Sequence, residues 1–177
     1  MVGVVAVLTS SVQADRAASR QTGGGTVPET TRTQESGYEI LEHTADIGVA
    51  AWGPTPADAF AAAARGMFAI MLGSDPQGWR GNGRPATIEV EVTGEDWPAL
   101  LVNWLSELLF HFEVDWFVPL SYEFHECAPP RCQARVTGRH LERLDDVCGV
   151  GIKAVTYHQI AVQVGETRTD VRVIFDI

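Results

Sequence analysis

The sequence predicts an α+β fold, a largely antiparallel sheet packed with two main helices. Three observations carry that expectation. Two segments repeat their apolar residues at three- and four-residue spacing, which is the period of a helix with one buried face. Several others alternate or run evenly apolar over short stretches, and these fall in pairs separated by tight turns. A chain of 177 residues suits one domain with a core of its own.

Taken in order, residues 1–37 read as a disordered tail and residues 38–177 as the folded domain. Val2–Leu8 is apolar but short, and no Lys or Arg precedes it, so it makes a poor secretory signal. The Gly-, Ser- and Thr-rich stretch from Gln21 to Gly37 cannot bury enough apolar surface to offset ordering entropy. Tyr38–Leu41 and Ile47–Trp52 then read as short strands around a His43-Thr44-Ala45-Asp46 turn. Thr55-Pro56-Ala57-Asp58 is a helix start: a capping hydroxyl, a proline at the first helical position, and an acid at the positive end of the dipole. Phe60, Ala63, Ala64, Met67, Phe68 and Met71 give this helix its apolar face, and Gly73 suits its C-terminal cap.

Ser74–Pro85 reads as a surface loop, and Thr87–Thr93 alternates strictly, as a half-buried strand does. A second helix is expected from Asp96 to Phe112, with Leu100, Leu101, Trp104, Leu105, Leu108 and Leu109 in its stripe. Val118–Glu126 and Cys132–Thr137 flank the Pro129-Pro130 turn as one hairpin. His158–Val164 and Thr169–Asp176 flank Gly165-Glu166 as another.

Charge narrows the function. Thirteen basic against 23 acidic side chains give a net charge of −10, and residues 1–37 are neutral, so the folded part carries the whole excess. Such a field repels phosphate backbones, which argues against direct nucleic-acid binding and for a basic protein partner or divalent cations. No run of about 18 apolar residues is present, so no membrane-spanning helix is expected. Cys127, Cys132 and Cys148 are read as reduced thiols of a cytoplasmic protein, although a bridge across the double-proline turn is geometrically possible. Their spacing makes a poor zinc site.

Three constellations could carry chemistry. In Glu42-His43-Thr44-Ala45-Asp46-Ile47-Gly48, polar and small residues crowd between two strands. Alone, this is best read as Asp46 capping a turn and His43 hydrogen-bonded at a sheet edge. At the other end, Val171–Phe175 is apolar enough to be covered on both faces. On spacing alone Asp176-Ile177 is a solvated, fraying end. If the strand is instead paired to its end, the Asp176 side chain and the Ile177 carboxylate come close, and a third carboxylate such as Asp46 completes an oxygen-only shell for a hard ion. Finally, Lys153 stands in Gly149–His158 as the one lysine beside twelve arginines, either a compositional accident or a compact cation for an acidic site or a phosphate. His158 is either a donor behind that site or, preferably, a strand residue with a satisfied ring.

Together these segments resemble the archease family. The matching residues are Tyr38-Glu-Ile-Leu-Glu-His-Thr-Ala-Asp-Ile-Gly48, Ala51-Trp52-Gly53, Leu100 to Leu109, Ile152-Lys-Ala-Val-Thr-Tyr-His158 and Val173-Ile-Phe-Asp-Ile177, in the right order over residues 38–177. The resemblance implies an archease-like strand-helix-strand-strand architecture. It also implies a non-enzymatic protein cofactor that activates an RtcB-class RNA ligase, promoting its guanylylation and multiple turnover in tRNA splicing and RNA repair. The metal site it implies is Asp46, Asp176 and Ile177, with Lys153 as the functionally important lysine acting on the partner. The ion expected is Ca²⁺, with Mg²⁺ or Mn²⁺ as alternatives. Some members are viewed as chaperone-like modulators of a tRNA methyltransferase, which is one rival reading. The other is an independent metal-dependent phosphoester hydrolase using the same carboxylates and His43 as base. The tail of residues 1–37 lies outside the resemblance, and the Cys127–Cys132 turn and the Ser74–Pro85 loop are idiosyncratic within it.

Overall fold

The computed structural model of the protein describes residues 35–42, 46–79, 81–143 and 147–177. Most of the expected tail, and His43, Thr44 and Ala45 of the opening turn, lie outside the described residues. Among the described residues the elements follow in the order β1 (Gly37–Glu42), β2 (Ile47–Gly53), α1 (Pro56–Leu72), β3 (Gly83–Thr93), α2 (Trp97–Asp115), β4 (Phe117–Ala128), β5 (Arg131–Leu141), β6 (Ala154–Val164) and β7 (Thr169–Asp176).

Local chemistry explains the helix ends. Asp58 N–H donates to the Thr55 hydroxyl at 3.2 Å and Thr55 N–H donates back to the Asp58 carboxylate at 3.1 Å, a reciprocal cap ahead of Pro56. α1 stops at Gly73, whose φ of 70° is the left-handed conformation a side chain disfavours. α2 opens under the Asp96 carboxylate, which accepts from Ala99 N–H at 2.8 Å. It runs past the expected Phe112 to Asp115, because no Gly or Pro interrupts it. Trp116 then turns the chain with a φ of 53°.

The sheet differs from the simplest expectation. The strands are all antiparallel but divide into a four-stranded sheet, β1-β2-β7-β6, and a three-stranded one, β3-β5-β4. In chain order β2, α1, β6 and β7 make the strand-helix-strand-strand unit. The segment β3-α2-β4-β5 is inserted between α1 and β6. Each helix touches strands of both sheets, so one apolar core serves all of them. Its centre is Trp104, fully buried, whose indole N–H donates to Phe60 C=O at 3.2 Å and ties α2 to α1.

Several strands also start earlier or run longer than the apolar pattern marks. β3 begins at Gly83, inside the expected loop, because Gly83 to Ala86 pair with Gly138 to Leu141 of β5. β6 begins at Ala154 rather than His158, and Ala154–Thr156 pair with Ile174–Asp176. Partner strands, not the residues' own periodicity, set these limits.

Candidate functional site

β7 is paired on both sides, and the residues expected to form the site lie at its end. It pairs with β2 on one side and β6 on the other. Val171, Val173, Ile174 and Phe175 are all buried, which explains the unbroken apolar run in the sequence. The end does not fray before Asp176: Val155 pairs with Phe175, and Ala154 with Asp176.

Registers bring the expected residues together. Ile47 stands opposite Phe175 as the last pair of that ladder, and Asp46 and Asp176 are the residues that flank this pair in sequence. On the other flank Lys153 directly precedes β6, and its N–H donates to Asp176 C=O at 2.8 Å. The Lys153 Nζ donates to the Ile177 main-chain oxygen at 2.9 Å. Asp46, Asp176, Lys153 and Ile177 are all exposed.

Glycine matters at one point of this end. Gly48 stands opposite Ile174, and a Cβ there would lie 2.6 Å from both Ile174 Cδ1 and Val173 O. The absent side chain therefore lets β2 lie against β7 just behind the two aspartates.

Beyond Thr156 the register of β6 shifts, resuming at Ala161 opposite Arg172. Within this bulge Gln159 is left-handed, with a φ of 51°. The Thr156 hydroxyl donates to Ile174 C=O at 2.9 Å and accepts from His158 N–H at 3.2 Å. Arg172 Nη2 donates to Gln159 Oε1 at 3.0 Å, and the Gln159 amide nitrogen lies 3.0 Å from His158 Nε2. Arginine can only donate, so it fixes the glutamine's orientation, and His158 Nε2 must be the acceptor. The ring is satisfied, as expected. Its clamp, built from an unremarkable glutamine, had no signal in the sequence.

A second polar cluster was equally invisible. Tyr38 Oη donates to Asp75 at 2.8 Å, and Arg65 grips the same carboxylate through Nε and Nη2, the latter at 2.6 Å. Burial and then the Asp75 carboxylate push the Tyr38 hydroxyl up to about 12. Burial works to raise Asp75, but the bonds from Arg65, Tyr38 and the Gln77 N–H outweigh it and hold the carboxyl below its ordinary range. This cluster pins β1 and the loop after α1 to the helix and is structural.

Cys127 and Cys132 face each other in the β4–β5 hairpin, as free thiols. The Cys127 neighbour and then burial push the Cys132 thiol well above its ordinary range, so it is a poor nucleophile. Among the described residues no three His, Cys, Asp or Glu side chains group around a possible metal position. The donors at the sheet end are two carboxylates and a main-chain oxygen, a hard-oxygen set that suits Ca²⁺, Mg²⁺ or Mn²⁺ rather than zinc. His43, the base of the hydrolase reading, lies outside the described residues. Among the described residues no helix is long and apolar enough to cross a membrane.

Comparison with known proteins decides the family. The family model described as the Archease protein family matches residues 38–177. The chain belongs to the archease family. Protein archease of Methanosarcina mazei is 34% identical over 149 residues, covering 82% of this chain and 99% of the relative. Protein archease of Danio rerio is 33% identical, covering 79% and 85% respectively. Among solved structures, protein 1598 of Methanobacterium thermoautotrophicum superposes with a TM-score of 0.59 at 27% identity, covering 80% of this chain and 99% of that one. An archease of Thermotoga maritima, described as a possible chaperone, superposes at 0.56 over 78% of this chain and 96% of its own, and at 19% identity it speaks to the fold alone. The archease fold is therefore present, and its two ends in sequence meet at one end of one sheet.

Proposed function

We propose that this archease is a non-enzymatic, metal-binding protein cofactor of an RtcB-class RNA ligase in the cytoplasm. It promotes guanylylation of the ligase and repeated turnover in tRNA splicing and RNA repair. The observation that supports this reading is that Asp46 and Asp176 flank the last β2–β7 pair while Lys153 bonds to the main chain of Asp176 and Ile177, at one exposed sheet end. Charge supports it as well. A chain of net charge −10 fits a basic protein surface better than RNA itself.

In this reading Asp46, Asp176 and the Ile177 oxygen hold a divalent cation, which supplies charge stabilisation where phosphates react. The rigid, doubly paired β7 holds the oxygens still while leaving them open to a partner. Lys153, now on the Ile177 oxygen, is a compact flexible cation that can turn to a phosphate during guanylyl transfer.

The test is a ligase turnover assay with and without the protein. Wild type should convert a single-turnover ligase into a multiple-turnover one, and Lys153→Ala should lower that activation by more than about tenfold while its melting curve stays unchanged. Calorimetry with Ca²⁺ should show binding by wild type and none by Asp176→Asn. Full activation by Lys153→Ala would overturn the reading. So would steady phosphoester hydrolysis by the protein alone.

A further inference from the structure

A hollow of about 430 Å³ lies between the end of β3 and the outer face of α2, where Glu91, Val92, Asn103, Glu107 and Phe110 contribute to its walls. A second, of about 320 Å³, adjoins it and continues along Gly94, Glu95, Ala99 and Pro130. Both are lined by Thr93 and Asn103, and the Asn103 amide donates to Thr93 C=O at 2.7 Å. The two form one groove, and it involves none of the residues of the sheet end described above.

Its chemistry is one-sided. Phe110 is 52% exposed and Val114, one turn further on the same face, is 59% exposed. Large apolar side chains left in water at helical spacing mark an interaction surface when polar residues rim them. The rim here is acidic. Glu91, Glu95 and Glu107 line the groove, and no Lys or Arg does. Arg131 holds Glu91 at 2.8 Å, which leaves Glu95 and Glu107 as the acids without a Lys or Arg partner among the described residues. The last turn of α2 has no basic residue and carries Glu113 and Asp115 at the negative end of the helix dipole, where cations are favoured. Along the groove's other wall, β3 is an edge strand with β5 as its one strand neighbour.

We propose that this groove docks an extended segment of another protein that carries Lys or Arg beside a large apolar side chain. The apolar residue covers Phe110, the cations meet Glu95, Glu107 and the end of α2, and the backbone runs along the β3 edge. A second copy of this chain would set acids against acids, and a nucleic acid would do the same. Both fit worse than a basic protein segment.

The isotope-labelled full chain, titrated with a short synthetic peptide of alternating Lys and Val, tests this. Amide shifts should concentrate in residues 91–95 and 99–114 and weaken as salt rises. A control peptide with Ser in place of Lys should not bind. Phe110→Ser, at a half-exposed position that leaves the rest of the spectrum intact, should weaken binding by about tenfold. The double variant Glu95→Gln, Glu107→Gln should weaken it too, whereas Asp176→Asn should leave it unchanged. No binding, shifts centred on Asp46 and Asp176, equal binding of the Ser peptide, or an unaltered affinity in Phe110→Ser would each overturn the proposal. Because no ligase enters the experiment, its outcome is separate from that of the activation assay.

Discussion

β7 and β3 are both antiparallel strands rich in Val and in charge, yet the molecule uses them differently. β7 has a strand on each side and a core-facing set that includes Val171, Val173 and Phe175, so its charged end, Asp176, follows directly on a paired and buried backbone. β3 has one strand neighbour and strict alternation: Val90 and Val92 point inward, while Glu89 and Glu91 point to water. On β7 the exposed Asp176 has no arginine opposite it among the described residues, and Lys153 bonds to the main chain of Asp176 and Ile177. On β3 each exposed glutamate meets an arginine of β5, Glu89 with Arg135 and Glu91 with Arg131, both at 2.8 Å. Matched pairs describe a solvated face, whereas an exposed acid without such a partner on a doubly paired strand is a candidate for binding.

The comparison breaks first if the support under Asp176 is not rigid. Phe175 is 1% exposed and directly precedes that aspartate. Phe175→Ala should cost roughly 3–5 kcal/mol in a denaturant titration, the usual loss for an aromatic removed from a packed core. Amide exchange at Lys153 and Asp176 should accelerate with it. A loss well under 1 kcal/mol would mean that the end of β7 is not part of the core.

Gly48 gives a smaller and more local effect. A methyl group there would lie 2.6 Å from a backbone oxygen of β7, which cannot turn aside as a side chain can. Gly48→Ala should therefore cost roughly 1–3 kcal/mol, the range for overpacking, and should shift the amides of Asp46 and Asp176 before those of β3. Changes spread over both sheets would instead show that the two are stressed together.

These positions also show what could be read from the chain alone. The helix cap at Thr55 and the alternation of Thr87–Thr93 were legible because each depends on residues a few places apart. So was the covered strand at Val171–Phe175, whose apolar run has no break. The placing of Asp46 and Asp176 beside the same end of the β2–β7 ladder was not legible from spacing, since pairing between strands so far apart in sequence depends on register. The family resemblance supplied it. Division of the strands into two sheets, the Gln159 clamp and the Tyr38–Arg65–Asp75 cluster had no local signal either. Periodicity says which residues are buried, not which strand lies next to which.

The smallest effect belongs to the outer face of the three-stranded sheet. Arg135 stands between Glu89 at 2.8 Å and Glu123 at 3.9 Å, with half its side chain in water. Cross-strand ion pairs of this kind exchange one set of solvated partners for another, and salt screens what remains. Arg135→Ala should give a melting curve that overlays wild type at physiological ionic strength. It should differ only at low salt, where Glu89 and Glu123 begin to repel each other. A clear loss at physiological salt would mean that these charges are desolvated in the working protein, and so that a partner or another part of the chain covers this face. The contrast with β7 would then be one between two occupied surfaces, and β3 would bind through its outer face as well as along its edge.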